Sequence, residues 1–111
     1  MNSKTISILS YITIIGWLIA FFSYNGSAEK SPLAKFHLKQ GFGLALLGLL
    51  NFILEAIIVT IIGPKLAIIF TVTGIIIFVL WIIGLINAIN EKEQPVPVVG
   101  GMFTNSFNFI K

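Results

Sequence analysis

This chain has no cysteine, no arginine and no aspartate; its charge is carried by seven lysines and four glutamates in 111 residues. Without cysteine there can be no disulfide, no thiolate metal site and no thiol nucleophile, and the redox compartment stays open. The formal charge of +3 is modest, and the lysines are interleaved with apolar runs. That pattern fits a membrane surface and gives no footprint for nucleic acid. No internal repeat or low-complexity tract is evident, and the length allows one unit without a second domain.

What is present is apolar. Hydrophobic residues make up 57% of the chain and charged ones 10%, with a mean hydropathy of +1.02. These values lie outside the range of soluble globular domains. Long uncharged runs account for them, so lipid is expected to be the solvent for most of the chain.

The first run, residues 6–24, has about the length needed to cross a bilayer as a helix. Asn25-Gly26-Ser27 ends it with turn chemistry. A cleavable signal peptide competes with that reading, but the run exceeds the usual apolar core of such peptides. Ser10, Thr13, Gly16, Ala20 and Ser23 recur at spacings of three and four, a small-residue face suited to close helix packing. Tyr11, Trp17 and Tyr24 are amphipathic aromatics, and Tyr24 lies where an interfacial belt is expected.

Ser31-Pro32 is a helix start, with a serine N-cap and a proline at the first helical position. Residues 32–40 carry Lys35 and Lys39 beside Leu33, Phe36 and Leu38, which predicts a short interfacial helix. Gly41 and Gly43 are candidate bend points before a second span over residues 41–62. Gly63-Pro64-Lys65 then makes a tight turn, forcing a third span, 66–89, to run antiparallel to the second. Gly74, Trp81, Gly84 and Ala88 share a broad packing face on that span. Gln94-Pro95-Val96-Pro97 is extended. In the tail, 94–111, the spacing of Phe103, Phe107 and Ile110 suggests an interfacial anchor, with a frayed end as the alternative.

The expected fold is therefore all-α: a polytopic helical membrane protein with three transmembrane helices and a short interfacial helix before the second. Three spans separate the termini. Lys30, Lys35, Lys39, Lys92 and Lys111 would share one side against Lys4 and Lys65, placing the C-terminus in the cytoplasm and the N-terminus outside.

At 100° per residue, His37, Gln40, Gly41, Leu44, Gly48, Asn51 and Glu55 fall on one face of a helix beginning at Ser31. Polar groups facing lipid are costly, so this stripe should face protein or a wet cavity. Glu55 is the sharpest feature. It is either a proton or cation site, or a protonated or hydrogen-bonded packing residue set against Thr13 or Thr71. His37 has no cysteine or aspartate companion to complete a metal site, and with Gln40 it is expected to hydrogen-bond the Asn25–Ser31 loop or a partner. No metal, cofactor or catalytic residue is assigned. Gly41-x-Gly43 lacks the Gly-Lys-Ser/Thr of a phosphate loop, no nucleophile motif is present, and an enzyme is not expected.

Three motifs together resemble a known family. Leu9-Ser10-Tyr11 with Gly16, the run Phe36-His37-Leu38-Lys39-Gln40, and Trp81-Ile82-Ile83-Gly84-Leu85-Ile86-Asn87-Ala88 followed by Pro95-Val96-Pro97 look like small bacterial membrane proteins. Those proteins are grouped with the Tic-twenty-type import component of the chloroplast inner envelope. The most specific parts are the His-x-x-Gln motif and the Trp-x-x-Gly-x-x-Asn-Ala motif, which adds Trp81, Gly84 and Asn87 to the candidate residues. The resemblance implies a non-enzymatic protein of the bacterial inner membrane, associated with protein translocation. The plant component has four spans, one more than expected here. The residues themselves suggest a subunit packing against itself or other membrane proteins, or, as the alternative, an oligomer forming an ion or proton pathway around Glu55.

Overall fold

A computed structural model describes residues 2–28 and 30–111. The described residues form helices and turns: α1 (Ser3–Leu9), α2 (Ile14–Asn25), α3 (Pro32–Ile61), α4 (Ala67–Ile89) and α5 (Gly100–Thr104), with a 3-10 turn at Pro64–Leu66. The all-helical expectation stands at that level. Two helical stretches, Pro32–Ile61 and Pro64–Ile89, are long and apolar enough to cross a membrane; Ile14–Asn25 is apolar but shorter.

The frame is the antiparallel pair α3 and α4. Ser31 caps α3 by accepting a hydrogen bond from the Ala34 N–H, and Pro32 opens the helix. At the other end Gly63 takes φ 133°, a conformation that a Cβ disfavours, and Pro64 begins the 3-10 turn leading into α4. Asn51 reaches across the pair, donating from Nδ2 to the Phe70 carbonyl at 3.2 Å.

The predicted first span is not one helix. Residues 6–24 divide at Ser10–Thr13, where the chain reverses and α2 runs back beside α1. Several local interactions compete with helix continuation there. The Ser10 hydroxyl donates to the Ile6 carbonyl at 2.9 Å, and Thr13, in an extended conformation, caps α2 by accepting from the Gly16 N–H at 3.0 Å. Gly16 lets the start of α2 sit against the Leu9 carbonyl; an added Cβ would lie 3.0 Å from it. The contacts fix the directions. Ile6 packs in a cluster with Ala34 and Leu38, and Ser10 meets Gly41, so α1 runs parallel to α3. Trp17 donates to the Leu38 carbonyl and Tyr24 joins the Ala34 cluster, so α2 returns antiparallel. Ser3 and Asn25 therefore lie at the same end as Pro32. The expectation of an N-terminus opposite the C-terminus loses its premise.

The predicted interfacial helix also differs. Residues 32–40 continue into α3 without a break at Gly41 or Gly43, and they form its most enclosed part. Ala34, Phe36, His37, Leu38, Lys39 and Gln40 are all buried. α1 and α2 cover one side, and the tail covers another. The tail is a folded strap: only Gly100–Thr104 is helical, and Val96, Phe103 and Ile110 are buried against the bundle. Its apolar spacing was visible, but it faces protein.

The molecule measures 51 × 22 × 22 Å and has two regions. A packed head surrounds residues 32–44 of α3 and the end of α4. Below it, a hairpin made of the rest of α3 and α4 exposes apolar side chains such as Phe52, Ile61, Ile68 and Phe78.

Candidate functional site

Five of the seven candidate residues meet in the head, around a residue the polar stripe did not include. The Tyr11 side chain enters between α3 and α4 where Gly84 leaves room; a Cβ on Gly84 would lie 2.6 Å from its ring. The phenol and His37 Nδ1 are 2.7 Å apart, and His37 Nε2 lies 2.8 Å from the Lys92 carbonyl. That carbonyl can only accept, so Nε2 carries the proton and Nδ1 accepts from the tyrosine hydroxyl. The reversal leaves the Tyr11 carbonyl outside any helix, and Trp81 satisfies it by donating from Nε1.

Gln40 holds the strap with its whole amide. Its Oε1 accepts from the Val96 N–H at 3.2 Å, and its Nε2 donates to the Gly100 carbonyl at 2.8 Å and to Thr104 Oγ1 at 3.2 Å. Asn87 fixes the start of the strap, donating to the Gln94 carbonyl at 3.1 Å. The His-x-x-Gln and Trp-x-x-Gly-x-x-Asn motifs are thus two sides of one clamp: the first grips Tyr11 and the strap, the second grips Tyr11 and the strap's root. The bonds expected from His37 and Gln40 to the Asn25–Ser31 loop go to Tyr11 and the strap instead.

His37 is fully buried, one turn before Gly41. Burial pushes its pKa down to about 4, although the Lys92 carbonyl pulls the other way. The imidazole is therefore neutral at physiological pH, and both its nitrogens are engaged. No group of three His, Asp or Glu side chains gathers among the described residues. Chemically, the cluster can orient and lock the elements it joins. Every buried side-chain nitrogen and oxygen among the described residues has a partner.

Asn51 and Glu55 do not belong to this cluster. They lie in the hairpin, with Glu55 about 27 Å of helix rise from His37. Glu55 is half-buried, and neither suggested partner reaches it. Thr13 caps α2, while Thr71 donates to the Ala67 carbonyl of its own helix. The stripe drawn on the sequence is therefore two features, a clamp and a separate pair of polar positions in the hairpin. Beneath the reversal lies an apolar groove of about 520 Å³, whose walls include Ile12, Trp17, Phe42, Leu46, Phe78 and Trp81.

From sequence, Tyr11 is one of three amphipathic aromatics of the first run and carries no assigned role. The available signal was its place in the Leu9-Ser10-Tyr11 motif, next to a threonine able to start a new helix. No family model, curated protein or solved structure matches this chain.

Proposed function

We propose that this is a non-enzymatic integral membrane protein that serves as a subunit or scaffold of a membrane complex, packing against copies of itself or other membrane proteins. The observation that carries the reading is the division of labour between its two regions. Every candidate polar group in the head is used internally to hold the head together, whereas the hairpin presents bare apolar surface. A side chain held on every donor and acceptor is suited to stiffness rather than turnover.

In this reading the membrane is crossed twice, by Gly41–Ile61 and by α4, and not three times. The rise of α2 over its 12 residues is about 18 Å, against about 30 Å of hydrocarbon. α1 and α2 lie beside residues 34–41 of α3, on the head side of the span, and turn back at Ser10–Thr13 without crossing; Ser10 and Tyr11 are buried there, and Trp81 satisfies the Tyr11 carbonyl. Lys4, Lys30, Lys35, Lys39, Lys92 and Lys111 then share the head side, with Lys65 alone at the turn. The positive-inside rule puts the head, and with it both ends of the chain, in the cytoplasm. Placement in a bacterial inner membrane, and a link to protein translocation, rest on the resemblance of the motifs to the import-component-like family.

Gentle extraction followed by cross-linking from cysteines introduced into the hairpin is the direct test. Cross-links to a second copy or another membrane protein support the scaffold; a monomer with no cross-linked partner in native membranes overturns it. The second reading, an ion or proton pathway, draws on the half-buried Glu55 in the hairpin. Glu55→Gln decides between them. A pathway requires flux in liposomes that the substitution abolishes while assembly survives. A scaffold has no flux at the outset, and the substitution leaves assembly unchanged.

A further inference from the structure

A recess of about 250 Å³ opens on the head beside the first turns of α3, walled by Pro32, Lys35, Phe36, Lys39, Glu93 and Thr104. Its unusual member is Lys39. Only 8% of this residue is exposed, and its ammonium donates one hydrogen bond, to the Thr104 carbonyl at 3.3 Å. An ammonium has three N–H groups, so two remain for the recess. No carboxylate of the described residues forms an ion pair with it, and its charged neighbour on the same helix face is another cation, Lys35. Burial and Lys35 both push the Lys39 ammonium below its usual pKa range.

A lysine with an enclosed stem and spare donors, with a second cation one turn away, is an arrangement that a tetrahedral oxyanion completes. Such an anion accepts several charge-assisted hydrogen bonds at once and relieves the repulsion between the lysines.

We infer that the recess between Lys35, Lys39 and Thr104 binds a phosphate group, and that its occupant is the headgroup phosphate of an acidic phospholipid. The lipid source rests on the membrane reading above, which sets these lysines immediately beyond the hydrocarbon at Gly41. Phe36 and Pro32 supply an apolar wall beside the charged one, which suits a glycerol backbone better than a free ion. Exposed Glu93 opposes the anion and limits its affinity. Because Lys39 also holds Thr104, the bound phosphate would tighten the strap on α3.

The test uses the full chain in detergent micelles doped with phosphatidylglycerol or phosphatidylcholine, or given millimolar inorganic phosphate, with binding read by thermal unfolding and native mass spectrometry. Phosphatidylglycerol should bind about fivefold or more tightly than phosphatidylcholine, the scale expected from one lysine near anionic lipid. Lys35→Gln and Lys39→Gln should each remove most of that preference, and Glu93→Gln should enlarge it. Stabilisation by inorganic phosphate equal to that by phosphatidylglycerol would keep the anion site and overturn its lipid occupant. Equal binding of both lipids with no response to phosphate would overturn the site. So would a folded Lys35→Gln protein, half-buried at that position and unchanged in melting without lipid, that keeps the full preference. Carbonate extraction of native membranes tests the premise separately. A chain released by carbonate overturns the membrane reading, whereas one that is retained but indifferent to lipid charge overturns the recess alone.

Discussion

α3 is one continuous helix with two different surroundings. Between Pro32 and Leu44 it has nine buried residues, among them a histidine, a lysine and a glutamine; from Ala45 to Ile61 it has none. The more polar half is enclosed and the more apolar half is bare, the reverse of what water would select. The contrast teaches that burial in this chain follows hydrogen bonding. Polar side chains are where other parts of the chain can satisfy them, and apolar ones are left for lipid or another chain to cover.

The largest expected effect sets two glycines of this helix against each other. Gly41 lies against the Ser10 backbone carbonyl, which a Cβ would strike, whereas nothing lies within 4 Å of the position a Cβ would take on Gly48. Gly41→Leu should destabilise the head by about 3 kcal/mol, because a backbone obstacle cannot rotate away. Gly48→Leu should change monomer stability by less than about 0.5 kcal/mol, as is usual away from packed sites. Melting of both variants in detergent checks this, and similar losses would erase the distinction between the halves.

Next comes the clamp. Gln40→Ala strands the Val96 N–H, at a cost of about 1–3 kcal/mol, and takes one of two side-chain bonds from the Gly100 carbonyl, which keeps the Thr104 hydroxyl. The strap should become the first segment cut in limited proteolysis, with the hairpin resistant. Simultaneous cleavage of both would mean that head and hairpin unfold together.

His37 makes the head sensitive to acid in a defined direction. Its pKa, about 4 when folded, lies below the ordinary value of 6.5. Between these values the unfolded chain binds more protons, so stability is full above about pH 6.5 and declines as pH falls toward 4. His37→Gln should flatten that part of the profile even though it lowers stability at neutral pH. The smallest effect should be in the hairpin. Asn51→Leu removes the bond to the Phe70 carbonyl and should cost about 0.6 kcal/mol, the average for such bonds between membrane helices. A loss as large as that of Gln40→Ala would show that the hairpin also depends on its polar contacts.

Much of the frame was legible in the sequence. The Ser31-Pro32 start, the Gly63-Pro64-Lys65 turn and the end of α4 near Ile89 are local signals, and the helices begin and stop where those signals lie. The reversal at Ser10–Thr13 was not legible from hydropathy, because a helix that doubles back inside an apolar run keeps the same composition as one that goes through. The Thr13 cap was there to be read, but Thr13 also fitted a small-residue stripe. For the candidate site, helical angle correctly put His37 and Gln40 together on one face. It carried that face on to Asn51 and Glu55 because angle says nothing about where covering elements end. The motif resemblance put Trp81, Gly84 and Asn87 among the candidates and included Tyr11 only as part of Leu9-Ser10-Tyr11; the folded chain brings the four to one point.

The reversal at Ser10–Thr13 also bears on how the protein is made. On the two-span reading, a chain that doubles back before reaching the far leaflet never exports its amino-terminal lysine. Insertion then requires the passage of a single short loop, Gly63-Pro64-Lys65, with one positive charge. The α3–α4 hairpin can enter as a unit, its backbone already hydrogen-bonded, while the rest of the chain stays on the side of synthesis. The work of topogenesis reduces to moving Lys65 once, so additional lysines at that turn should slow insertion far more than the same lysines placed beside Lys4.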